Sequence, residues 1–163
     1  MYLSPAKQTA RAAGPAPPHH AVVWDTEAPR LGEARDAVRA LLARAGHAPG
    51  RRVVQDAQLV VSELLTNALK HAPGPCGLFV ELVPDATAVR ITVTDTSPEL
   101  PEGRPHDPRR AGGHGLWLVG MVSSRVEAVP VPGGKRVTAT LALRAEHGGT
   151  GRARRAEPEQ TRR

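Results

Sequence analysis

Near residue 75 the hydrophobic spacing of this chain changes from the period of a helix to the period of a strand. Upstream, Ala57, Val61, Leu64, Leu65, Ala68 and Ala72 share one arc when residues are placed about 100° apart. Downstream, Leu78, Val80 and Leu82 alternate with polar or small residues, and Val89, Ile91 and Val93 do the same. A helix with one apolar stripe and strands with one apolar face each need a partner surface, and they can supply it to one another. The spacing therefore predicts an α+β fold, a two-layer α/β sandwich whose mostly antiparallel sheet packs on helices.

The flanking segments fit that plan. Residues 21–24 have strand character, and Leu31, Ala34, Val38, Leu41, Leu42 and Ala45 recur at helical spacing, with Pro29 suited to the first turn and Gly46 to the stop. The second helix is expected over 54–71, ended by Pro73-Gly74-Pro75. Pro84-Asp85-Ala86-Thr87 reads as a tight connection between two strands, and Pro132-Gly133-Gly134 as another, between strands over 126–131 and 136–143. Residues 96–113 form a long segment rich in Pro, Arg and Gly, the kind of loop that in a compact domain is usually functional or disordered. A short helix over 116–122 follows it.

The net charge of +6 invites a nucleic-acid reading until the charge is located. Lys7 and Arg11 give residues 1–20 a charge of +2, and six Arg against three Glu give residues 144–163 a charge of +3. Both tails lack hydrophobic periodicity and are expected to be disordered, leaving one domain-sized folded unit at 21–143 with a nearly balanced surface. No specific nucleic-acid face is indicated. No apolar stretch is long enough to span a membrane, and the lone Cys76 fits a reducing compartment, so the reading is a soluble cytoplasmic protein.

Three places could carry chemistry. Glu63, Asn67, Lys70 and His71 make a polar stripe on the second helix, apart from its core arc. A carboxylate, an amide oxygen and an amine on one ridge can hold magnesium together with a phosphate, because magnesium takes hard oxygen ligands, few of them from protein. A solvated helix face is the plain alternative. Asp95 continues the apolar parity of Val89, Ile91 and Val93, so its carboxylate should point into the buried layer, where it needs a strong donor such as a base amino group. Capping a turn with Thr96 and Ser97 is the other reading. Gly112-Gly113-His114-Gly115 opens a helix, which suits close approach to an anion and offers free N–H groups to it, although mobile loops share that composition.

Taken together and in order, these segments resemble the Bergerat ATP-binding fold shared by histidine kinases, gyrase-type ATPases and anti-sigma-factor serine/threonine kinases. Ser62-Glu63-Leu64-Leu65-Thr66-Asn67-Ala68-Leu69-Lys70-His71-Ala72 resembles the N box, Asp95-Thr96-Ser97 stands in the place of the G1 box, and Gly113-His114-Gly115-Leu116-Trp117-Leu118-Val119 resembles the G2 box. The compact length and the strand–helix opening favour the anti-sigma kinase branch. The resemblance implies ATP and Mg2+ as cofactors, Asn67 as the magnesium ligand and Glu63 as the general base. It also implies Asp95 on the adenine amino group, and Lys70, Gly113, Gly115 and Leu116 about the phosphates. By the same resemblance the partners are a sigma factor and an anti-anti-sigma protein phosphorylated on serine, and the chain forms a homodimer. Two positions depart from the pattern: Ser97 and Pro98 stand where glycines usually follow the aspartate, and Arg136 where a late threonine is expected. Thr138 is near that place but has the parity opposite to Val137, Ala139, Leu141 and Leu143. A nonenzymatic nucleotide sensor that sequesters a partner is the alternative function.

Overall fold

The computed structural model describes residues 16–25, 28–72, 74–101 and 114–143. The elements run β1 (His19–Trp24), α1 (Leu31–Arg44), α2 (Arg52–His71), β2 (Cys76–Leu82), β3 (Ala88–Asp95), α3 (Gly115–Val122), β4 (Arg125–Val131) and β5 (Gly134–Ala142). The strands form one sheet in the order β1-β2-β3-β5-β4, and every neighbouring pair is antiparallel. This is the two-layer α+β arrangement that the change of period predicts.

Odd-numbered apolar residues of β3 and β5 and even-numbered ones of β2 face the helices. Leu78, Val80, Val89, Ile91, Val93, Val137, Ala139 and Leu141 are buried in one cluster with Val38, Leu42, Val61, Leu64 and Leu65. Truncating a fully buried leucine such as Leu42 or Leu65 to alanine would cost about 2–5 kcal/mol, through lost transfer energy and the cavity left behind. The whole core arc read for α2 is buried, including Ala72 just past its end.

Helix ends follow local chemistry. In α1 the first turn closes with Ala34 N–H donating to Arg30 O, so Pro29 lies just before the helix rather than within its first turn. At the other end Gly46 has φ 86°, which L side chains resist, and two bonds reach back: Gly46 N–H to Ala43 O and His47 N–H to Leu42 O. The stop read at Gly46 is therefore a Schellman motif.

The strands extend further than apolar content alone indicates. β1 begins at His19, inside the stretch read as a tail through residue 20, because pairing His19 with Glu81 uses backbone groups whatever the side chain. β5 begins at Gly134, paired with Val131 across a two-residue turn in which Gly133 has φ 83°. Residues 1–15 and 144–163 of the expected tails, and 102–113 of the long loop, lie outside the described residues.

On the outer face of the sheet the strand register sets Phe79 beside Thr92, and Thr92 beside Thr138, whose hydroxyls are 3.2 Å apart. Thr138 thus points away from the helices, as its parity predicts. The sheet is bounded by β1 on one side and by β4 on the other. β4 is mostly exposed and carries charged residues and Pro130, features that discourage further strand pairing.

Candidate functional site

Helix α2 carries the polar ridge on its flank. Glu63 and Asn67 are half-buried and Lys70 and His71 are exposed. Neither the Glu63 carboxylate nor the Asn67 amide has a hydrogen-bond partner among the described residues, so the two do not simply satisfy each other. Glu63 instead lies against the start of α3: a Cβ added to Gly115 would fall on Glu63 Oε2 and within 3.2 Å of its Cδ. Glycine at 115 is what lets the second segment dock on the first. Leu116, Val119 and Val122 then tie α3 to the core, with Val119 fully buried.

The first N–H groups of α3 precede its own hydrogen bonds, which begin with Leu118 N–H donating to His114 O at 2.9 Å. Those of Gly115 and Leu116 lie at the positively polarised end of the helix, next to the Glu63 carboxylate. Since the Leu116 side chain packs against the core, its share in any anion site is its backbone N–H. Gly113 lies outside the described residues.

Asp95 ends β3 with its side chain turned inward and only 2% exposed. Both readings of this residue hold together. The carboxylate is buried, and it also caps the turn, Ser97 N–H donating to Oδ1 at 2.9 Å. The strong donor that a buried carboxylate requires is Lys135, whose Nζ donates to the same Oδ1 at 2.9 Å and whose side chain is likewise 2% exposed. The cross-strand register makes this contact, since Asp95 and Lys135 are directly paired in β3 and β5. Oδ2 has no partner among the described residues.

Close backbone approach builds the same corner. A Cβ on Gly134 would overlap the carbonyl oxygen of Asp95 and lie 2.8 Å from Thr96 Cα. A Cβ on Gly74 would lie 2.8 Å from Thr96 Oγ1. The second contact brings the exit of α2 beside the exit of β3, so the Asn67–His71 end of the ridge lies towards Asp95. Helical rise puts Glu63 about 12 Å further back along α2.

Cys76 completes the row. It pairs with Trp24 in β1 and adjoins Asp95 on β3, and its thiol is pushed up to about 11 by burial first and by the Asp95 carboxylate second. The thiol is neutral at physiological pH and acts as a small apolar wall.

Of the residues singled out from sequence, the structure therefore joins Glu63 with Gly115 and Leu116, and sets Asp95 at the far end of the same helix. Lys70 remains exposed at the end of the ridge. Lys135 is the buried group that sequence reasoning passed over. Its parity with Val137, Ala139 and Leu141 was the available signal.

The chain matches the model of the histidine kinase-like ATPase domain over residues 23–141. It belongs to that family. The ATPase domain is also similar to a solved structure of the RsbU and RsbW domains of Rv1364c from Mycobacterium tuberculosis, with a TM-score of 0.53 and 21% sequence identity. The likeness covers 77% of this chain and 32% of that one, so the ATPase domain spans about a third of the protein it is compared with, and at this identity the likeness concerns the fold. No curated protein matches the chain. Among the described residues no helix of the ATPase domain is long and apolar enough to cross a membrane.

The residues present fit a magnesium nucleotide. Two half-buried oxygen-bearing side chains, Glu63 and Asn67, have no hydrogen-bond partner among the described residues and lie beside the first N–H groups of α3, and Asp95 uses only Oδ1 for its described bonds. Among the described residues no three His, Cys, Asp or Glu side chains gather into a metal-holding group.

Proposed function

We propose that this ATPase domain is a serine/threonine kinase and anti-sigma factor that binds ATP with Mg2+ and phosphorylates an anti-anti-sigma partner. The observation that carries the reading is the docking of Gly115 on Glu63. It sets the Glu63 carboxylate, which has no described hydrogen-bond partner, against the Gly115 and Leu116 N–H groups at the start of α3, one helical turn from Asn67.

Each residue has a role that its chemistry supports. Asn67 holds the magnesium ion through its amide oxygen. Glu63 accepts the proton of the attacking serine hydroxyl. The backbone N–H groups of Gly115 and Leu116 hold phosphate oxygens, Gly113 belongs to the same cradle, and Lys70 offers a mobile charge at its edge. Asp95 receives the base amino group on Oδ2. Bound ATP supplies the phosphoryl group, and magnesium offsets its charge. What remains for the protein is positioning and electrostatics, which is most of what phosphoryl transfer requires.

The resemblance to anti-sigma kinases supports this choice of partner, and the fold shared with a structure that contains an RsbW domain is consistent with it. The alternative is a nonenzymatic nucleotide sensor that sequesters its partner, and one feature favours it: Lys135 already compensates the Asp95 charge, so the fold does not need a nucleotide to satisfy that carboxylate. The test is incubation of the purified protein with γ-labelled ATP, Mg2+ and candidate anti-anti-sigma proteins. Label on a serine of the partner, lost in Glu63→Gln, supports the kinase. Tight ATP binding with no label on any partner leaves the sensor.

A further inference from the structure

Lys135 is the buried charged group to which the proposed function gives no task. An ammonium carries three N–H donors. One reaches Asp95 Oδ1, and the other two have no acceptor among the described residues. Asp95 is incomplete in the complementary sense, because Ser97 N–H and Lys135 both use Oδ1 while Oδ2 takes no described donor. Burying an ion pair is favourable only when its remaining lone pairs and protons are satisfied. This pair, with both side chains 2% exposed, leaves an acceptor and a donor side by side. Its natural complement is the edge of a planar heterocycle that presents one N–H beside one acceptor.

We propose that Lys135 is a specificity-determining residue that lets the base subsite take both purines, guanine as well as adenine. The inference rests on the nucleotide reading above. A carboxylate by itself selects adenine, whose N6 amino group donates to it, and opposes guanine, whose O6 would face the carboxylate lone pairs. An ammonium beside the carboxylate changes that balance. Adenine sets N6–H on Oδ2 and a ring nitrogen, N7 or N1, on Nζ. Guanine, turned by one position, sets N1–H on Oδ2 and O6 on Nζ. Both bases then fill Oδ2 and one of the two remaining ammonium N–H groups. Pyrimidines present a similar edge but lack the second ring that carries it to the corner, which makes CTP the size control.

The experiment is calorimetric titration of the full chain with the non-hydrolysable analogues of ATP, GTP and CTP in magnesium. Parallel titrations use Lys135→Met and Lys135→Gln, with circular dichroism establishing that each variant is folded. The natural protein should bind GTP within about tenfold of ATP, whereas a site whose polar groups fit only one base rejects the other by about 10⁴-fold. Lys135→Met should raise the GTP/ATP ratio of Kd values beyond about 100-fold, and Lys135→Gln, which keeps an N–H donor, should fall between. ATP binding with GTP about 100-fold weaker in the natural protein overturns the inference alone, and needs no variant to fold. So does an unchanged ratio in both variants, or CTP binding as tightly as ATP. Failure of every nucleotide to bind overturns the nucleotide reading and this inference with it.

Discussion

Replacing Gly134 by alanine is the sharpest test of how the Asp95 corner is built. The added Cβ would overlap the Asp95 carbonyl oxygen and sit 2.8 Å from both Asp95 C and Thr96 Cα. All three are backbone atoms, so no rotamer change relieves the contact. To restore ordinary separation of about 3.5 Å the first residues of β5 must move off the end of β3. Overpacking of this kind costs about 1–3 kcal/mol. The movement also stretches the register that holds Lys135 on Asp95, and disrupting a buried ion pair adds up to about 3–5 kcal/mol. A loss of about 4 kcal/mol or more is therefore expected, a large part of the about 5–15 kcal/mol available to a domain. Two other glycines calibrate the measurement. Gly120 has nothing within 4 Å of its Cβ position and lies in α3, so Gly120→Ala should gain about 0.5–1 kcal/mol from backbone entropy. Gly133 also has open space, but its φ of 83° makes alanine strained by about 1–2 kcal/mol. Urea unfolding followed by circular dichroism gives all three values. If Gly134→Ala proved no worse than Gly133→Ala, the tight approach of β5 to Asp95 would not exist and the argument for the corner would fail.

Asn67→Ala should weaken magnesium-ATP binding at least about 100-fold, with the unfolding midpoint shifted by less than about 0.5 M urea, because Asn67 is off the core arc; unchanged calorimetric affinity would refute its role. Gly115→Ala should displace Glu63 and abolish transfer to the partner while leaving base selectivity intact, read by comparing labelled product with GTP/ATP affinity ratios. Ala86, at φ 54°, occupies a conformation that suits asparagine or glycine, so Ala86→Asn should raise stability by about 0.5–1 kcal/mol in the same urea assay. Thr87 holds the exposed Asp85 carboxyl below the usual carboxylate range through its hydroxyl, at 2.8 Å, and its N–H, at 3.1 Å. A lowered value means that this contribution is present at neutral pH and fades as acid protonates the group, so an NMR titration should show Asp85 titrating below the usual carboxylate range, and Thr87→Val should raise it. Cys76 has the opposite sign: folded, it titrates near 11 against an ordinary 9.0, so its contribution is complete below pH 9 and fades between pH 9 and 11. Thiol reagents at pH 8 should label it only at the rate of unfolding, and rapid labelling of the native protein would contradict its burial.

Much of this was legible from residue spacing, and the limits of that legibility are physical. The α2 arc and the alternation in β2, β3 and β5 report which side of each element is buried, because burial is a property of single residues on a fixed period. Parity even placed Asp95 inside. What parity does not contain is register. Lys135 shares the inward parity of Val137, but only the pairing of β3 with β5, which are separated in sequence by α3 and β4, makes it the partner of Asp95. The donor expected at the carboxylate was a ligand group, whereas the fold supplies a lysine first. Strand ends were misjudged at His19 and Gly134 for a related reason, since backbone pairing does not depend on apolar side chains. The contact of Glu63 with Gly115 was foreseeable only as chain order, because docking of α3 on α2 is a tertiary event.

The core arc and the polar ridge of α2 are two sides of a single rod. Glu63 and Asn67 are thus spaced by helical pitch and pinned by Leu64, Leu65 and Ala68, so no ligand can draw them together or apart. Any adaptation of this corner over evolutionary time must then fall on the short α3, moored by one fully buried valine, and on the opposing end of β5. Divergence among relatives should accumulate in those two pieces while the rod stays constant.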